Sequence, residues 1–349
     1  MNIFKSLILA ATVSVLVFVQ SCKTDFELYA PYDDIPVIYA ILDQSVDTQY
    51  VKVNKTYLGQ GDNANYASIN DSVLFDNVAV TVFEYVNGSL TGTFPCTEKW
   101  VTEVEPGLFY GGGTQKVYTF LNPLNAEAKY KLNVDIDNGR KVVEAETELI
   151  GDLNFSPPFI NATIVGISLY SNNNYNNVTM AWKPAVGALK YEAEINFIYE
   201  DSTATGWEEK TINWKLGKIT GLDLKGGGGS LSKEIVGENF YKNIQNKLAN
   251  YPNEANVVSR RFINIEYVVA AAGKDLSTYI SINEPSNSIV TNRPSFTNID
   301  GGLGVFSSRV KLVRDDKGNN PSSPQPLKLS TLSENELKTG QYTSHLKFQ

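Results

Sequence analysis

The sequence predicts a mainly β protein with two β-sandwich domains and a small helical insert. Segments of alternating apolar and polar residues recur along the chain, and residues 78–86 are the clearest example. Asn87-Gly88 and Asn138-Gly139 each follow such a segment and favour tight hairpins, because a type I′ turn requires positive φ at both central residues. The best helical pattern, in residues 235–249, covers a small part of the chain.

The composition limits the classes of protein to which this chain can belong. Its 349 residues are 42% hydrophobic and 11% aromatic, which is typical of a globular chain long enough for two domains. The formal net charge of −8 argues against nucleic acid as a partner, because binding phosphates requires concentrated Lys and Arg. The same charge argues against electrostatic attachment to an anionic membrane, so a membrane anchor would be covalent.

Residues 1–21 have the pattern of a signal peptide. Lys5 supplies the positive charge, and the apolar run from Leu7 to Val19 is too short to span a bilayer. The run ends in Val19-Gln20-Ser21-Cys22, which resembles a bacterial lipobox, in which the cysteine becomes the first mature residue. Cys22 would then carry palmitate and further acyl chains, and more than one chain makes anchoring stable. An ordinary secretory signal, with Cys22 left as a plain thiol, is the alternative.

Residues 22–34 are predicted to be a tether, and residues 35–150 to be the N-terminal β-sandwich. Within this sandwich, Leu121-Asn122-Pro123-Leu124 and then Tyr130 precede an alternating strand. This order resembles the corner before strand F of immunoglobulin-like and fibronectin type III sandwiches. In those sandwiches the tyrosine hydroxyl bonds to the backbone a few residues upstream, so we expect the same of Tyr130.

Residues 151–177 are predicted to be a linker and a first strand. Residues 178–313 are predicted to be a second sandwich-like domain that contains the helical insert. Trp182, a Gly-Ala turn and Tyr191 resemble strands B and C of a fibronectin type III domain, in which a buried tryptophan fills the centre. Residues 314–349 are predicted to be a polar C-terminal segment.

The sequence offers few residues for catalysis, and we predict no enzyme, no metal site and no cofactor. His345 is the only histidine, which excludes multi-histidine zinc sites and leaves the sole imidazole near the C-terminus. Cys96 is expected to be a small buried hydrophobe and not a reactive thiol. The glycine run at 226–229 lacks the Gly-Lys-Ser/Thr ending of a phosphate loop.

Two kinds of ligand remain open alternatives. Residues 135–139 and 315–319 have the acidic composition of a calcium loop, but neither keeps the full ligand spacing. Exposed aromatic side chains could stack on sugars, and the candidates are Tyr110, Trp207 and Trp214. Core packing explains the same aromatic residues, so the sequence predicts neither calcium nor a glycan.

Residues 296–306 are the one stretch that resembles a specific family. Phe296, Asn298-Ile299, a glycine-bearing turn and Phe306 resemble the closing motif of a Bacteroidetes lipoprotein family, domain of unknown function 4249. The resemblance implies a lipoprotein of the outer membrane, on its periplasmic or its surface face, that is encoded beside TonB-dependent receptors. It implies no catalytic residues. The turn could form a binding loop, which would consist of Asn298, Gly301, Gly302 and Gly304.

These observations predict a non-enzymatic, lipid-anchored protein of the cell envelope that binds or assists an outer-membrane receptor. Its partners would be the membrane, through Cys22, and the receptor protein. A structural or adhesive surface protein is the second hypothesis, and it predicts no small ligand. A polysaccharide hydrolase ranks third, because it requires two close carboxylates that the sequence does not identify.

Overall fold

The computed structural model describes residues 33–57, 70–102, 114–156, 166–220, 229–249, 254–284, 295–314 and 327–349. These residues form several antiparallel sheets and few helices, which confirms the predicted mainly β class. Residues Ile35–Gln349 make up one compact unit. Within the described ranges, no helix is both long and apolar enough to cross a membrane.

The strands are numbered in chain order. They are β1 (Pro36–Asp43), β2 (Thr48–Lys55), β3 (Val78–Val86), β4 (Ser89–Pro95), β5 (Thr97–Val101), β6 (Gln115–Leu121), β7 (Lys129–Ile136), β8 (Lys141–Glu148), β9 (Asn154–Phe155), β10 (Gly166–Ile167), β11 (Tyr170–Ser171), β12 (Asn174–Tyr175), β13 (Asn177–Lys183), β14 (Ala188–Thr203), β15 (Gly206–Thr220), β16 (Leu231–Val236), β17 (Ser259–Gly273), β18 (Leu303–Arg314) and β19 (Lys328–Leu329).

The described helices are fewer than the described strands. They are α1 (Asn70–Val73), α2 (Gly237–Leu248), α3 (Lys274–Asn283) and α4 (Thr331–Thr339), with 3-10 turns at Glu254–Asn256 and Ser344–Leu346. The predicted helical insert is confirmed as α2, although Ile235, which the sequence places on the helix, belongs to β16. Phe240, Ile244 and Leu248 of α2 are buried at intervals of four residues, as expected for an amphipathic helix.

An eight-stranded sheet runs through the whole compact unit in the order β15-β14-β17-β18-β1-β2-β6-β5. All neighbours in it are antiparallel except β1 and β18, which pair in parallel with Ile38 opposite Gly304 and Ala40 opposite Phe306. The first strand of the sheet in sequence therefore lies beside the last. The sheet continues without a break from strands of the predicted N-terminal sandwich to strands of the second predicted domain.

A four-stranded sheet, β4-β3-β7-β8, shares a first core with the β1–β2–β6 part of the large sheet. Val82 and Leu132 of the smaller sheet contribute to this core, as does Phe306 of β18. Both predicted Asn-Gly hairpins are confirmed, since β3 pairs with β4 and β7 with β8. Positive φ values of 49° at Asn87 and 79° at Gly88 show why the turn needs these residues.

A second core lies under β14 and β17, and it also contains residues of α2, α4 and the three-stranded sheet β16-β13-β9. Trp182 of β13 is fully buried there, as predicted from the sequence, with its ring 6.1 Å from that of Tyr191. Two small sheets, β10-β19 and β11-β12, complete the described strands.

The C-terminal residues are part of this second core, which differs from the polar segment predicted for 314–349. Leu337, Leu346 and Phe348 are buried in it. The Arg260 N–H donates to the Lys347 carbonyl at 2.8 Å, and the Gln349 N–H donates to the Arg260 carbonyl at 3.0 Å. The burial of these apolar residues depends on neighbours that are distant along the chain, as Phe348 packs against Phe197 and Tyr199.

Candidate functional site

The predicted lipid attachment residue, Cys22, lies outside the described residues, as does the whole predicted signal peptide. The structure therefore describes none of the anchor. The other predicted site residues, Asn298, Gly301, Gly302 and Gly304, all lie in the described segment that leads into β18. We call residues 296–306 the glycine motif.

The side chain of Asn298 is occupied within the glycine motif. Its Nδ2 donates to the Phe306 carbonyl at 2.7 Å, and its Oδ1 accepts from the Phe306 N–H at 2.9 Å. Nδ2 also donates to Oδ2 of Asp275 in α3 at 3.1 Å. The amide thus replaces a strand partner for Phe306 and ties the motif to α3. These bonds give Asn298 a structural role.

The three glycines bring β18 against β1. Gly301 and Gly304 have positive φ values of 77° and 113°, a region that side chains disfavour. A Cβ at Gly304 would overlap the carbonyl oxygen of Ile38, and one at Gly302 would lie 2.9 Å from the carbonyl oxygen of Pro36. The structure thus brings the four predicted residues together, as a closely packed turn.

A groove that the sequence does not reveal adjoins this motif. It consists of two clefts of about 620 and 330 Å³, which share lining residues from β7 and β8, and we call it the β8 groove. Asp275, which accepts the hydrogen bond from Asn298, lines the smaller cleft. The charged residues along the groove include Lys129, Lys131, Lys274, Glu146, Glu148 and Asp275.

Ion pairs organise the charges of the β8 groove. Nζ of Lys129 lies 3.3 Å from Glu146, and Nζ of Lys131 lies 2.9 Å from Glu144 just outside the lining. The hydrogen bond with Glu144 raises the pKa of Lys131, and the same bond lowers the pKa of Glu144, so both remain charged at neutral pH. Both signs of charge alternate on exposed side chains, which suits the surface of a polar peptide or protein better than a single anion.

Among the described residues, those that the sequence associates with chemistry do not form a common site. His345 is exposed in a 3-10 turn, and within the described ranges no three His, Cys, Asp or Glu residues cluster as metal ligands. Residues 135–139 cover the end of β7 and most of the turn to β8, where Oδ1 of Asp135 accepts from the Gly139 N–H at 2.6 Å. The turn therefore has its own hydrogen bonds, while residues 315–319 and 226–228 lie outside the described residues.

The two described candidates for sugar stacking, Trp207 and Trp214, do not share a surface. Trp207 is 44% exposed at the start of β15, where the guanidinium of Arg261 lies 4.5 Å from its ring centre. Trp214 packs against the second core, with its ring 6.4 Å from that of Phe240. Tyr110 lies outside the described residues.

Cys96 is half-buried and packs against the first core. Burial raises the pKa of its thiol to about 12. At pH 8 its thiolate fraction is on the order of a thousandfold smaller than that of an ordinary cysteine, and the thiolate is the reactive form.

We therefore test Cys96 in a Cys22→Ser chain with an aromatic disulfide reagent at pH 8. We expect the reaction to be about a thousandfold slower in the folded protein than in the protein unfolded by urea. The substitution leaves Cys96 as the single cysteine, so the absorbance of the released thiolate reports this residue alone. Equal rates in the folded and unfolded protein would contradict the prediction.

Comparison with known proteins does not identify a family for this chain. No protein-family model and no curated protein matches the sequence. The chain is similar to the C-terminal globular domain of an oligosaccharyltransferase from Pyrococcus abyssi, with 13% identity, a TM-score of 0.26, and coverage of 70% of this chain and 50% of that one. A cytokine receptor complex gives 11% identity, a TM-score of 0.20, and coverage of 68% and 92%.

The chain thus spans half the length of the oligosaccharyltransferase domain that it matches. TM-scores this low define no common fold, so these likenesses transfer neither an activity nor a binding site. What the structure defines is a class, a mainly β protein with several antiparallel sheets.

Proposed function

We propose that this chain is a non-enzymatic, lipid-anchored protein of the outer membrane that works as a binding or accessory subunit beside a TonB-dependent receptor. The observation that carries the proposal is the apolar run from Leu7 to Val19, which leads into the lipobox-like sequence closing on Cys22. The acidic composition supports a covalent anchor, because a chain of net charge −8 is repelled by anionic lipid. The resemblance of the glycine motif to domain of unknown function 4249 supports the same compartment.

We further propose that the two cores belong to two sandwich domains of the immunoglobulin or fibronectin type III kind, joined through one sheet. The hydroxyl of Tyr130 accepts from the Asn125 N–H at 2.8 Å, which is the upstream backbone bond of a tyrosine corner. The hydroxyl of Tyr191 accepts from the Ala185 N–H at 2.9 Å, beside the buried Trp182. These bonds support the assignment in both halves.

A binding role is supported by the partners of the buried polar groups, which are other residues of the protein. The Glu84 carboxylate accepts from Tyr130 at 2.6 Å and from Thr91 at 2.8 Å, so it holds β3 to its neighbours. The buried Arg260 and Asp201 pair with each other. Such groups hold the sheets in place, and the exposed β8 groove with its charges of both signs remains as the surface for a partner protein.

Replacing Cys22 with Ser is expected to move the protein from the membrane fraction to the soluble fraction. The serine hydroxyl cannot receive the thioether-linked lipid, and the sequence beyond residue 22 contains no other apolar run of membrane-spanning length. Metabolic labelling with an alkyne fatty acid should mark the unaltered chain and miss the variant. Membrane retention of an unlabelled Cys22→Ser chain from which residues 1–21 have been cleaved would refute the anchor.

Affinity purification from native membranes tests the accessory role. We expect the unaltered chain to capture an outer-membrane receptor, and Lys129→Glu in the β8 groove to reduce the capture at least tenfold. Lys210→Glu on β15 is the matched control, because Lys210 also pairs with an exposed glutamate but lies outside the groove. If no receptor is captured by any form, the accessory role fails and the adhesive hypothesis takes its place.

A further inference from the structure

β15 is a border strand of the eight-stranded sheet. It pairs with β14 along its length, and none of the described strands pairs with its other side. The backbone N–H and C=O groups on a border of this kind are a template for a further strand. The pairing with β14 is regular from Trp207 to Lys215, and the register shifts beyond Lys215. Lys233 of β16 approaches β15 near Gly217, where its Nζ would lie 3.4 Å from an added Cβ. We call residues 207–215 the β15 edge.

The β15 edge carries opposite charges at its two ends. Alternate residues of a strand share a face, and Glu209, Thr211, Asn213 and Lys215 are all exposed on the same face. The carboxylate lies near the start of the edge and the ammonium group at its end. The other face is apolar at its centre, where Ile212 is 6% exposed and belongs to the second core. The exposed face of the edge therefore changes from negative to positive along its length.

Glu209 has no counter-ion among the described residues. Its neighbour across the strand pair is Glu200 of β14, and the carboxylate of Glu200 pairs with Arg261. Carboxylates that face each other across two strands repel, so a cation brought to Glu209 would stabilise this arrangement. Lys215 can supply one, because it is 65% exposed, although its Nζ lies 3.1 Å from Glu192. Within one strand the two charges are about 20 Å apart, so they can meet only between copies of the chain.

We propose that the β15 edge binds the same edge of a second copy of this chain, antiparallel to it and about a two-fold axis at Ile212. Glu209 and Lys215 are equally far from Ile212 in the sequence, so each Glu209 then lies opposite Lys215 of the second copy. Thr211 lies opposite Asn213 of the second copy, between the two ion pairs. Moving the register by two residues in either direction separates both ion pairs, so the charges select one alignment.

A contact of this kind uses the same surface on both copies, so it closes as a dimer and covers both borders. The inference goes beyond the proposed function, because it depends on neither the lipid anchor nor a receptor.

Sedimentation equilibrium of the full chain carrying Cys22→Ser measures the association without the lipid. One strand pair is small for an interface, so we expect a reversible equilibrium between monomer and dimer. Glu209→Lys should raise the dissociation constant at least about tenfold, because symmetry turns two attractive pairs into two repulsive ones. Lys215→Glu should do the same by opposing two carboxylates. Lys338→Glu on α4 is the matched control and should leave the constant unchanged, since Lys338 also pairs with a glutamate of its own chain but lies outside the edge.

Glu209→Lys combined with Lys215→Glu is the decisive variant. It keeps the net charge of the chain and places opposite charges against each other again, so it should associate about as tightly as the unaltered chain. A combined variant as weak as the single ones would overturn the proposal. A chain that stays monomeric at every concentration would also overturn it. So would one dissociation constant shared by all variants, which is what association through the apolar run of residues 7–19 would give.

Disulfide cross-linking checks the alignment independently. Thr211→Cys in one Cys22→Ser chain and Asn213→Cys in another place two thiols opposite each other, where paired Cα atoms are about 4.5–5.5 Å apart. Disulfides span this distance, and Cys96 competes poorly because burial raises the pKa of its thiol to about 12. We expect a covalent dimer from the mixture and little from either chain alone. Equal cross-linking in all samples would indicate random collision and overturn the proposal.

Discussion

Replacing Asp201 with Ala is expected to lower the free energy of unfolding by about 3–5 kcal/mol, because it leaves the guanidinium of Arg260 buried without a counter-ion. Asp201 is 1% exposed and Arg260 is 0% exposed, so water cannot replace the lost carboxylate. The same guanidinium donates to the carbonyl of Leu346. The loss should therefore also loosen the C-terminal residues. Urea unfolding followed by circular dichroism measures the change.

The adjacent residue provides the matched control. Glu200 pairs with Arg261, which is 49% exposed, and exposed pairs contribute at most about 1 kcal/mol. Glu200→Ala should therefore have a small effect on the urea midpoint. Replacing both members of the buried pair, as Asp201→Leu with Arg260→Met, should recover most of the stability, since no charge is then left buried. Equal losses in Asp201→Ala and Glu200→Ala would contradict the assignment.

Replacing Gly304 with Ala is expected to destabilise the protein by about 2–5 kcal/mol, for two reasons that add. Its φ of 113° is unfavourable for any residue with a side chain, at a cost of about 1–2 kcal/mol. The new Cβ would also overlap the carbonyl oxygen of Ile38, and overpacking of this kind costs about 1–3 kcal/mol. The strain falls on the parallel pairing of β1 with β18.

Gly139→Ala separates these two reasons. Gly139 has a φ of 90°, but a Cβ there would meet nothing within 4 Å. The loss of stability in Gly139→Ala should therefore be limited to the backbone cost of about 1–2 kcal/mol. The comparison of urea midpoints isolates the cost of the contact with Ile38. If both variants lose the same stability, close packing between β1 and β18 is not what Gly304 provides.

The local features of this fold follow from the sequence. Asn87-Gly88 and Asn138-Gly139 predict hairpins that the structure contains, because the turn conformation depends on two adjacent residues. The backbone bond of Tyr130 and the burial of Trp182 are likewise confirmed. In each case the physical requirement lies within a few residues, so a single sequence is enough to identify it.

The candidate site was predicted in part. The sequence selects Asn298 and the glycines as one turn, and the structure brings them together. The sequence does not reveal that Asn298 forms hydrogen bonds with Phe306 and Asp275, or that a groove lies beside these residues. Those contacts depend on where α3 and β8 pass, and the alternating pattern of a strand does not encode its neighbours in space.

By itself, the sequence determines the mainly β class, the hairpins, helix α2 and the lipobox-like segment at Cys22. The tertiary structure alone decides that β1 pairs with β18, that the C-terminal residues enter the second core, and that Arg260 pairs with Asp201. The reason is physical. Alternation records which side of a strand is buried, whereas strand order and charge pairing arise from contacts between residues tens to hundreds of positions apart.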